Sequence, residues 1–354
     1  MKHHSAVLLV NLDIPEKELK SSLRLRRAAE SVNSAAKRFK KIVVIAHRGR
    51  PVGLDKKLSL RRIAAALSAT SGRNINFISS IDKKTIVEKT SADGIHMLEN
   101  IRFFPGEAEN SPVLSRFLAS LGDIFINDDF ATAHRKSASN VGILKYIPGM
   151  PGPILSAEIK NLSRLIRNPK RPFVVVIGGA KTEDKLDVIK RLIPLADKIL
   201  LGGGPGNAAL AADGYDIGDS IGGIKSASSL KRLMKSGKII YPVDFRVQEK
   251  RILDIGPNTE NIYTEKIAAA KTVVWAGPMG LFEKVKFSRG SEAVAKSIVA
   301  SGGFSVAGGG ETSAVIMNLG LEDKFSFVST GGGAMLDFLS GKKLPAVEAL
   351  KLKI

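Results

Sequence analysis

Phe173-Val-Val-Val-Ile-Gly-Gly-Ala-Lys-Thr-Glu-Asp184 is an unbroken apolar, mostly β-branched run that ends on two glycines and passes into a charged segment. A strand with no polar alternation is buried on both faces, as in a parallel sheet covered by helices. Glycines at its end let the chain turn sharply from strand to helix. This strand–glycine–helix unit sets the reading of everything on either side of it.

The same kind of run recurs outward in both directions. Before it, strands are expected near Val7–Val10, Ile42–Ala46, Ile75–Ile78, Ile95–Leu98 and Ile124–Ile126. Within and after it they are expected at Phe173–Ile177, Lys198–Leu201, Lys238–Tyr241, Thr272–Trp275, Phe304–Ala307 and Phe325–Val328. Apolar strands alternating with stretches of helical periodicity predict an α/β chain with two doubly wound parallel sheets. A chain of 354 residues is also too long for one ordinary core. Between the two arrays, Leu155, Ile159, Leu162 and Ile166 fall at spacings of four, three and four. They make one apolar stripe on a helix that opens at Pro153 and stops before Pro169, and this helix is expected to join the domains. The expected boundaries are 1–152 for the first domain, 153–168 for the interdomain helix and 169–335 for the second domain.

Composition narrows the function classes. Hydrophobic residues at 44% and charged residues at 25% describe a globular chain. With no cysteine, disulfide frameworks and thiolate metal sites are excluded, which suits a reducing cytoplasm. The apolar run Ala6–Val10 is far too short for a signal core or a membrane span, so a soluble protein is expected. Lys and Arg outnumber Asp and Glu by 54 to 34, a formal charge of +20. The basic residues are scattered, which is the pattern of solvated surface, although such a charge also attracts anions.

Ligands of open α/β sheets lie beyond the carboxyl ends of the strands, and the two halves decorate those ends differently. The first half places Asn11-Leu12-Asp13, His47-Arg48-Gly49-Arg50, Glu99-Asn100-Ile101-Arg102 and Asn127-Asp128-Asp129 there, followed by Thr132-Ala133-His134-Arg135. Any one arginine is an ordinary surface residue; several at successive strand ends make a pocket for a compact, multiply charged anion, because guanidinium forks grip phosphate and carboxylate. The second half places glycines there: Gly178-Gly179, Gly202-Gly203-Gly204, Gly277, Gly308-Gly309-Gly310 and Gly331-Gly332-Gly333. Such turns bring backbone N–H groups and helix N-termini to phosphate oxygens, so a nucleotide along this edge is expected. Neither the GxxxxGK[ST] nor the GxGxxG spacing is met, which demotes the standard P-loop and dinucleotide assignments. An anion domain and a nucleotide domain in one chain suggest a hinge-bending kinase whose closure keeps water from the phosphoryl donor.

The motifs, in order, resemble phosphoglycerate kinase. They are His47-Arg-Gly-Arg-Pro51, Leu98-Glu-Asn-Ile-Arg-Phe103, Asn127-Asp-Asp-Phe-Ala-Thr-Ala-His-Arg135, Gly178-Gly-Ala-Lys181, Asp254-Ile-Gly-Pro257, Val273-Val-Trp-Ala-Gly-Pro-Met-Gly-Leu-Phe-Glu283, Gly308-Gly-Gly-Glu311 and Ser329-Thr-Gly-Gly-Gly-Ala334. The resemblance implies two Rossmann-like doubly wound parallel-sheet domains joined by an interdomain helix, with residues 336–354 returning to the phosphoglycerate-binding domain. It implies reversible phosphoryl transfer between 1,3-bisphosphoglycerate and ADP, with Mg²⁺ accompanying ATP or ADP, in a cytoplasmic monomer that binds neither membrane nor nucleic acid.

By the same resemblance, Asn11, Leu12, Asp13, Arg24, His47, Arg48, Gly49, Arg50, Arg102 and Arg135 would hold the substrate. Gly179, Lys181, Lys185, Gly203, Glu283, Gly309, Gly310, Glu311 and Thr312 would hold the nucleotide, Glu311 with its Mg²⁺. Arg24, Lys181, Gly332 and Gly333 would act on the transferring phosphoryl group. Departures from the family pattern concentrate at the ligands: Asn11 and Asp13 stand exchanged, Glu311 replaces an aspartate, and Ala276 replaces an asparagine. These leave two alternatives open, a paralogue with altered substrate or nucleotide and a non-catalytic anion- or nucleic-acid-binding protein.

Overall fold

Alternate residues of the first strand pack into two different clusters, which shows how the N-terminal sheet is covered. In β1 (Ser5–Asn11), Ala6, Leu8 and Val10 pack with Leu25, Val32, Ile63 and Leu67 from helices Leu23–Ala36 and Arg61–Ser71. Val7 and Leu9 point the other way and join Ile86, Leu114 and Leu118 from helices Lys83–Lys89 and Pro112–Ala119. Both faces are therefore apolar, as the unalternating sequence predicts.

The structure is a computed structural model and describes residues 4–222 and 224–352; residues 1–3 and 353–354, part of the expected first domain and tail, lie outside these. The remaining strands are β2 (Lys41–His47), β3 (Ile75–Ile78), β4 (Gly94–Leu98), β5 (Ile124–Asp128), β6 (Gly149–Pro151), β7 (Phe173–Ile177), β8 (Lys198–Leu201), β9 (Ile239–Ile240), β10 (Phe245–Gln248), β11 (Arg251–Ile255), β12 (Thr272–Ala276), β13 (Phe304–Gly308) and β14 (Phe327–Ser329). One six-stranded sheet has the order β3-β4-β2-β1-β5-β6 and the other β14-β13-β12-β7-β8-β9. All pairings within both are parallel. The fold is thus α/β with two six-stranded parallel sheets.

Three strands escape the sequence reading. β6 is a three-residue edge containing Gly149 and Pro151, with no β-branched signal. β10 and β11 form an antiparallel ribbon. Its turn residues, Glu249 and Lys250, both have positive φ, 51° and 58°. Glycine or asparagine normally marks such a turn, so the hairpin is hidden by its own residues. At the other sheet edge, the short helix Glu322–Lys324 delays β14 until Phe327.

The chain divides into two compact units: one runs up to Ile159 and takes in the stretch from Lys343 onward, and the other is Lys160–Lys342. The division falls inside the helix Pro153–Arg167, and residues 336–342, read from sequence as tail, stay with the second unit. In the first unit the returning stretch buries Leu344, Ala346 and Val347, and the Ala346 N–H donates to the Ala133 carbonyl at 3.1 Å. Among the described residues no helix is long and apolar enough to cross a membrane.

Candidate functional site

Parallel register brings the polar strand ends of the first unit together. Asn11 at the end of β1 lies opposite His47 at the end of β2, and Val10 lies opposite Asp128 on the other side, so Asp129 follows beside Asn11. Here Asn11 Nδ2 donates to Asp129 Oδ1 at 3.1 Å, and Asn11 Oδ1 accepts from the Asp13 N–H at 3.1 Å. Asp13 Oδ1 accepts from the Gly49 N–H at 2.9 Å. His47 stands between two carboxylates, Nδ1 3.4 Å from Asp129 and Nε2 4.0 Å from Asp13. Arg24 donates to the Asp13 carbonyl, and Arg102 to the Gly49 carbonyl.

Of these groups, His47 and Arg102 line a cavity of about 720 Å³, to which Arg50, Arg135 and Lys136 also contribute. Burial lowers the pKa of His47 from its ordinary value; Asp129 opposes this, Arg102 adds to it, Asp13 opposes it and Arg135 adds to it. Burial also lowers that of Arg102, with Arg135 next in effect, yet a guanidinium stays charged. A multiply charged anion would offset the mutual repulsion of such clustered cations.

Two residues expected here do other work. Arg48 is buried, and its guanidinium donates to the carbonyls of Lys57 and Ser59 and pairs with Glu16 at 3.4 Å. Leu12 is fully buried in the apolar core, and its carbonyl accepts from Ile14. Leu12 and Arg48 each directly follow a strand-end residue of the site, Asn11 and His47, and their side chains turn into the interior of the unit, which leaves their backbone as what they could offer a ligand. Conversely, Asn100 and Asp129, which the motifs do not single out, organise the site. Asn100, wholly buried, takes the N–H groups of Arg48 and Arg102 on Oδ1 and donates to the carbonyls of Arg48 and Leu58. Asn100, two residues past the end of β4, caps the turn Ile101–Phe103, a place that favours asparagine.

The second unit builds its rim from glycines in one row. Register sets Leu201, Ile177, Ala276, Gly308 and Ser329 side by side, so the glycine turns leave the sheet together. They then divide into two kinds. Gly179 donates to the Pro278 carbonyl, Gly203 to that of Met279 and Gly204 to that of Gly179, at 2.6, 2.9 and 2.8 Å. The Gly277 N–H donates to Thr312 Oγ1 at 2.7 Å, and Trp275 Nε1 donates to the Gly277 carbonyl at 2.8 Å. At Gly203, φ is +50° and an added Cβ would come 2.7 Å from the Gly179 carbonyl oxygen. This knot allows close approach but has spent its donors, contrary to the expectation that Gly179 and Gly203 offer N–H groups. The Thr312 hydroxyl likewise serves as a staple.

The other kind is open. An added Cβ at Gly310, Gly332 or Gly333 would meet nothing within 4 Å. Gly310 begins the helix Gly310–Asn318, whose first N–H groups have no intrahelical acceptor. Lys185 Nζ donates to the Lys181 carbonyl at 3.0 Å, and a Cβ on Gly179 would lie 3.3 Å from it and 3.4 Å from Glu311 Oε2. Burial lowers the pKa of Lys185, while Glu311 and Asp184 oppose this. Lys181 itself is exposed. Beside this group lies a mainly apolar cavity of about 250 Å³, walled by Pro242, Leu253, Met279 and Leu281, with Glu283 and Glu311 also on its lining. Its size and lining suit a nucleobase and ribose.

Asp254, on the wall of this cavity, is buried, and burial raises its pKa from 3.8 to about 7, against hydrogen bonds from Gly290 and Ile255 and the charge of Arg246. A carboxyl raised on folding binds more protons folded than unfolded, so its contribution to stability is present below pH 3.8 and is lost as pH rises through about 7. Urea unfolding across this window will show the difference between Asp254→Asn and the wild type shifting in the variant's favour as pH rises.

Comparison with known proteins agrees with this geometry. The family model described as phosphoglycerate kinase matches residues 1–342. A phosphoglycerate kinase from Thermosipho africanus is 38% identical, covering 100% of this chain and 96% of its own. Its alignment runs over 387 positions, more than the chain's 354 residues, so the relative carries insertions this chain lacks. The solved structure of phosphoglycerate kinase from Pyrococcus horikoshii superposes with a TM-score of 0.87 at 31% identity, covering 99% of this chain and 96% of that one. That from Coxiella burnetii gives 0.84 at 33% identity, with 98% and 96% covered.

Proposed function

The chain belongs to the phosphoglycerate kinase family, and we propose that the two rims described above hold the two reactants of its reaction, phosphoryl transfer between 1,3-bisphosphoglycerate and ADP. The observation that carries this is the pairing of an arginine- and histidine-lined cavity in one unit with a glycine-turn row and apolar cavity in the other.

In the ATP-consuming direction a carboxylate oxygen of 3-phosphoglycerate attacks the γ-phosphorus. The bond to the β-bridging oxygen breaks, and ADP leaves. The acceptor is already ionised, so no proton is removed and no general base is required. What the protein must supply is alignment and neutralisation of charge on the transferring group. Arg50, Arg102 and Arg135 suit the two anionic ends of the substrate, and Arg24 and Lys181 suit the phosphoryl group between donor and acceptor. His47, held neutral by burial, serves as a hydrogen-bond partner. Gly309, Gly310, Gly332 and Gly333 present open backbone to the nucleotide phosphates, Lys185 neutralises them, and Glu283 lies at the ribose.

Mg²⁺ typically takes one or two protein carboxylates and completes its shell with phosphates and water. The described residues contain no cluster of three or more metal-ligating side chains, and Glu311 Oε2 beside Lys185 supplies one carboxylate at the phosphate end. Glu311 would then hold a metal that arrives with the nucleotide, and the metal would add charge neutralisation at the phosphates. A cytoplasmic, ATP-linked role follows from the same reading.

Arg102→Ala tests the placement. Removing one half-buried partner of a charged substrate group costs about 2–3 kcal/mol, or roughly 30- to 150-fold. The KM for 3-phosphoglycerate rises by that factor while the KM for Mg-ATP stays within twofold. Equal effects on both would refute the assignment of this cavity to phosphoglycerate.

A further inference from the structure

Asp129 is wholly buried; its carboxylate accepts three hydrogen bonds and turns its remaining side to His47. Oδ1 accepts from Asn11 Nδ2 at 3.1 Å and from the Thr132 N–H at 3.2 Å. Oδ2 accepts from Thr132 Oγ1 at 2.7 Å and faces His47 Nδ1 at 3.4 Å. Its own N–H donates to Asn127 Oδ1 at 3.2 Å, and Asn127 Nδ2 donates in turn to Asn140 Oδ1 at 2.6 Å, a buried network that fixes the backbone here. A wholly buried carboxylate engaged in this way is closed to a ligand. It can only set the state of what it touches.

We propose that Asp129 is a positioning residue that makes His47 a hydrogen-bond acceptor toward the substrate cavity, and so selects a substrate carrying a hydroxyl at that point. A carboxylate behind Nδ1 requires the imidazole proton to sit on Nδ1. The lone pair of the neutral ring is then on Nε2, the nitrogen nearer Asp13. An Nε2 lone pair with the Asp13 carboxylate 4.0 Å away makes a pair of acceptors. An anionic oxygen is repelled by that pair, whereas an alcohol O–H is welcomed. The C2 hydroxyl of 3-phosphoglycerate has this chemistry. The charged groups facing the imidazole are Asp129, Arg102, Asp13 and Arg135, and only Asp129 lies behind Nδ1. The inference rests on placing phosphoglycerate at this rim.

Asp129→Asn separates the possibilities. Asn11 Nδ2 and the Thr132 N–H are obligate donors, so the amide must keep its oxygen at the Oδ1 position and put its NH₂ at the Oδ2 position. An NH₂ facing Nδ1 forces the proton to Nε2 and reverses the tautomer. Two readouts follow. In ¹⁵N-histidine NMR of the wild type above neutral pH, His47 shows a protonated Nδ1 and an unprotonated Nε2, and Asp129→Asn shows the reverse. In steady-state kinetics, the wild type prefers 3-phosphoglycerate over 3-phosphonooxypropanoate, which lacks the hydroxyl, by roughly 10- to 100-fold in kcat/KM, as expected for a hydrogen bond of this kind. In Asp129→Asn that preference falls to within about threefold, with the KM for Mg-ATP unchanged.

An Nε2–H tautomer in the wild type overturns the proposal, and needs no variant to fold. So does undiminished preference in a folded Asp129→Asn. If 3-phosphoglycerate leaves the His47 resonances unmoved while the tautomer is as stated, the placement of substrate at this rim fails instead, and the selection of the hydroxyl fails with it.

Discussion

Lys181→Ala lowers kcat by about 10²- to 10³-fold, the effect of deleting one charge that stabilises a transition state, and leaves the KM for 3-phosphoglycerate within a few-fold. Lys181 is exposed at the end of the glycine turn after β7, so its ammonium is free to follow a phosphoryl group. Its carbonyl, not its side chain, holds Lys185 Nζ, and alanine preserves that bond. The far-ultraviolet circular dichroism and unfolding midpoint therefore stay at wild-type values. Loss of kcat together with loss of stability would mean that Lys181 is structural, and the assignment would fall.

Trp275→Ala produces the largest loss of stability, about 3–5 kcal/mol by analogy with other buried aromatic deletions. Trp275 is wholly buried on β12, the strand paired on one side with β7 and on the other with β13. Its ring stacks on Phe325 at 6.4 Å between centroids. Its indole N–H holds the Gly277 carbonyl, and the Gly277 N–H is held by Thr312. The substitution thus opens a cavity and also loosens the backbone knot of the glycine row. Urea unfolding followed by circular dichroism measures the first effect, because the chain's only tryptophan is lost with the variant. The KM for Mg-ATP, raised without a matching change for 3-phosphoglycerate, measures the second.

Much of this arrangement was legible in the sequence for one geometric reason. In a parallel sheet the strand ends fall in a row, so residues that follow successive apolar runs become neighbours. Asn11 beside His47, and Ile177 beside Ala276 and Gly308, are examples. The inward turn of the Leu12 and Arg48 side chains, each next to a site residue, is set by packing that the motif alone does not show. Other features had no linear signature. Whether a glycine N–H is open, as at Gly310, or spent, as at Gly179, depends on the loop after β12 that packs against it. The ribbon β10–β11 turns on Glu249 and Lys250, residues that do not announce a turn. Asp129 reads as one of two adjacent acids, and only the packing distinguishes it from Asp128. That neighbour accepts instead from Ser31 and from the Leu155 N–H at the start of the helix Pro153–Arg167.

The exchange of Asn11 and Asp13 relative to the family pattern also reads differently in three dimensions. Asn11 is tied to Asp129 and Asp13 to Gly49, so the site keeps its negative charge next to His47 and relocates it. Retention of the cations around the cavity then makes turnover, not passive binding, the expected outcome.

The decisive measurement is product formation from 3-phosphoglycerate and Mg-ATP, read as ADP release together with acyl phosphate trapped by hydroxylamine. ADP and acyl phosphate appearing in equal amounts, with a rate far above that of the Lys181→Ala variant, is the predicted result. No acyl phosphate above the Lys181→Ala level at millimolar substrates would contradict the assignment of this chain's two rims to phosphoryl transfer.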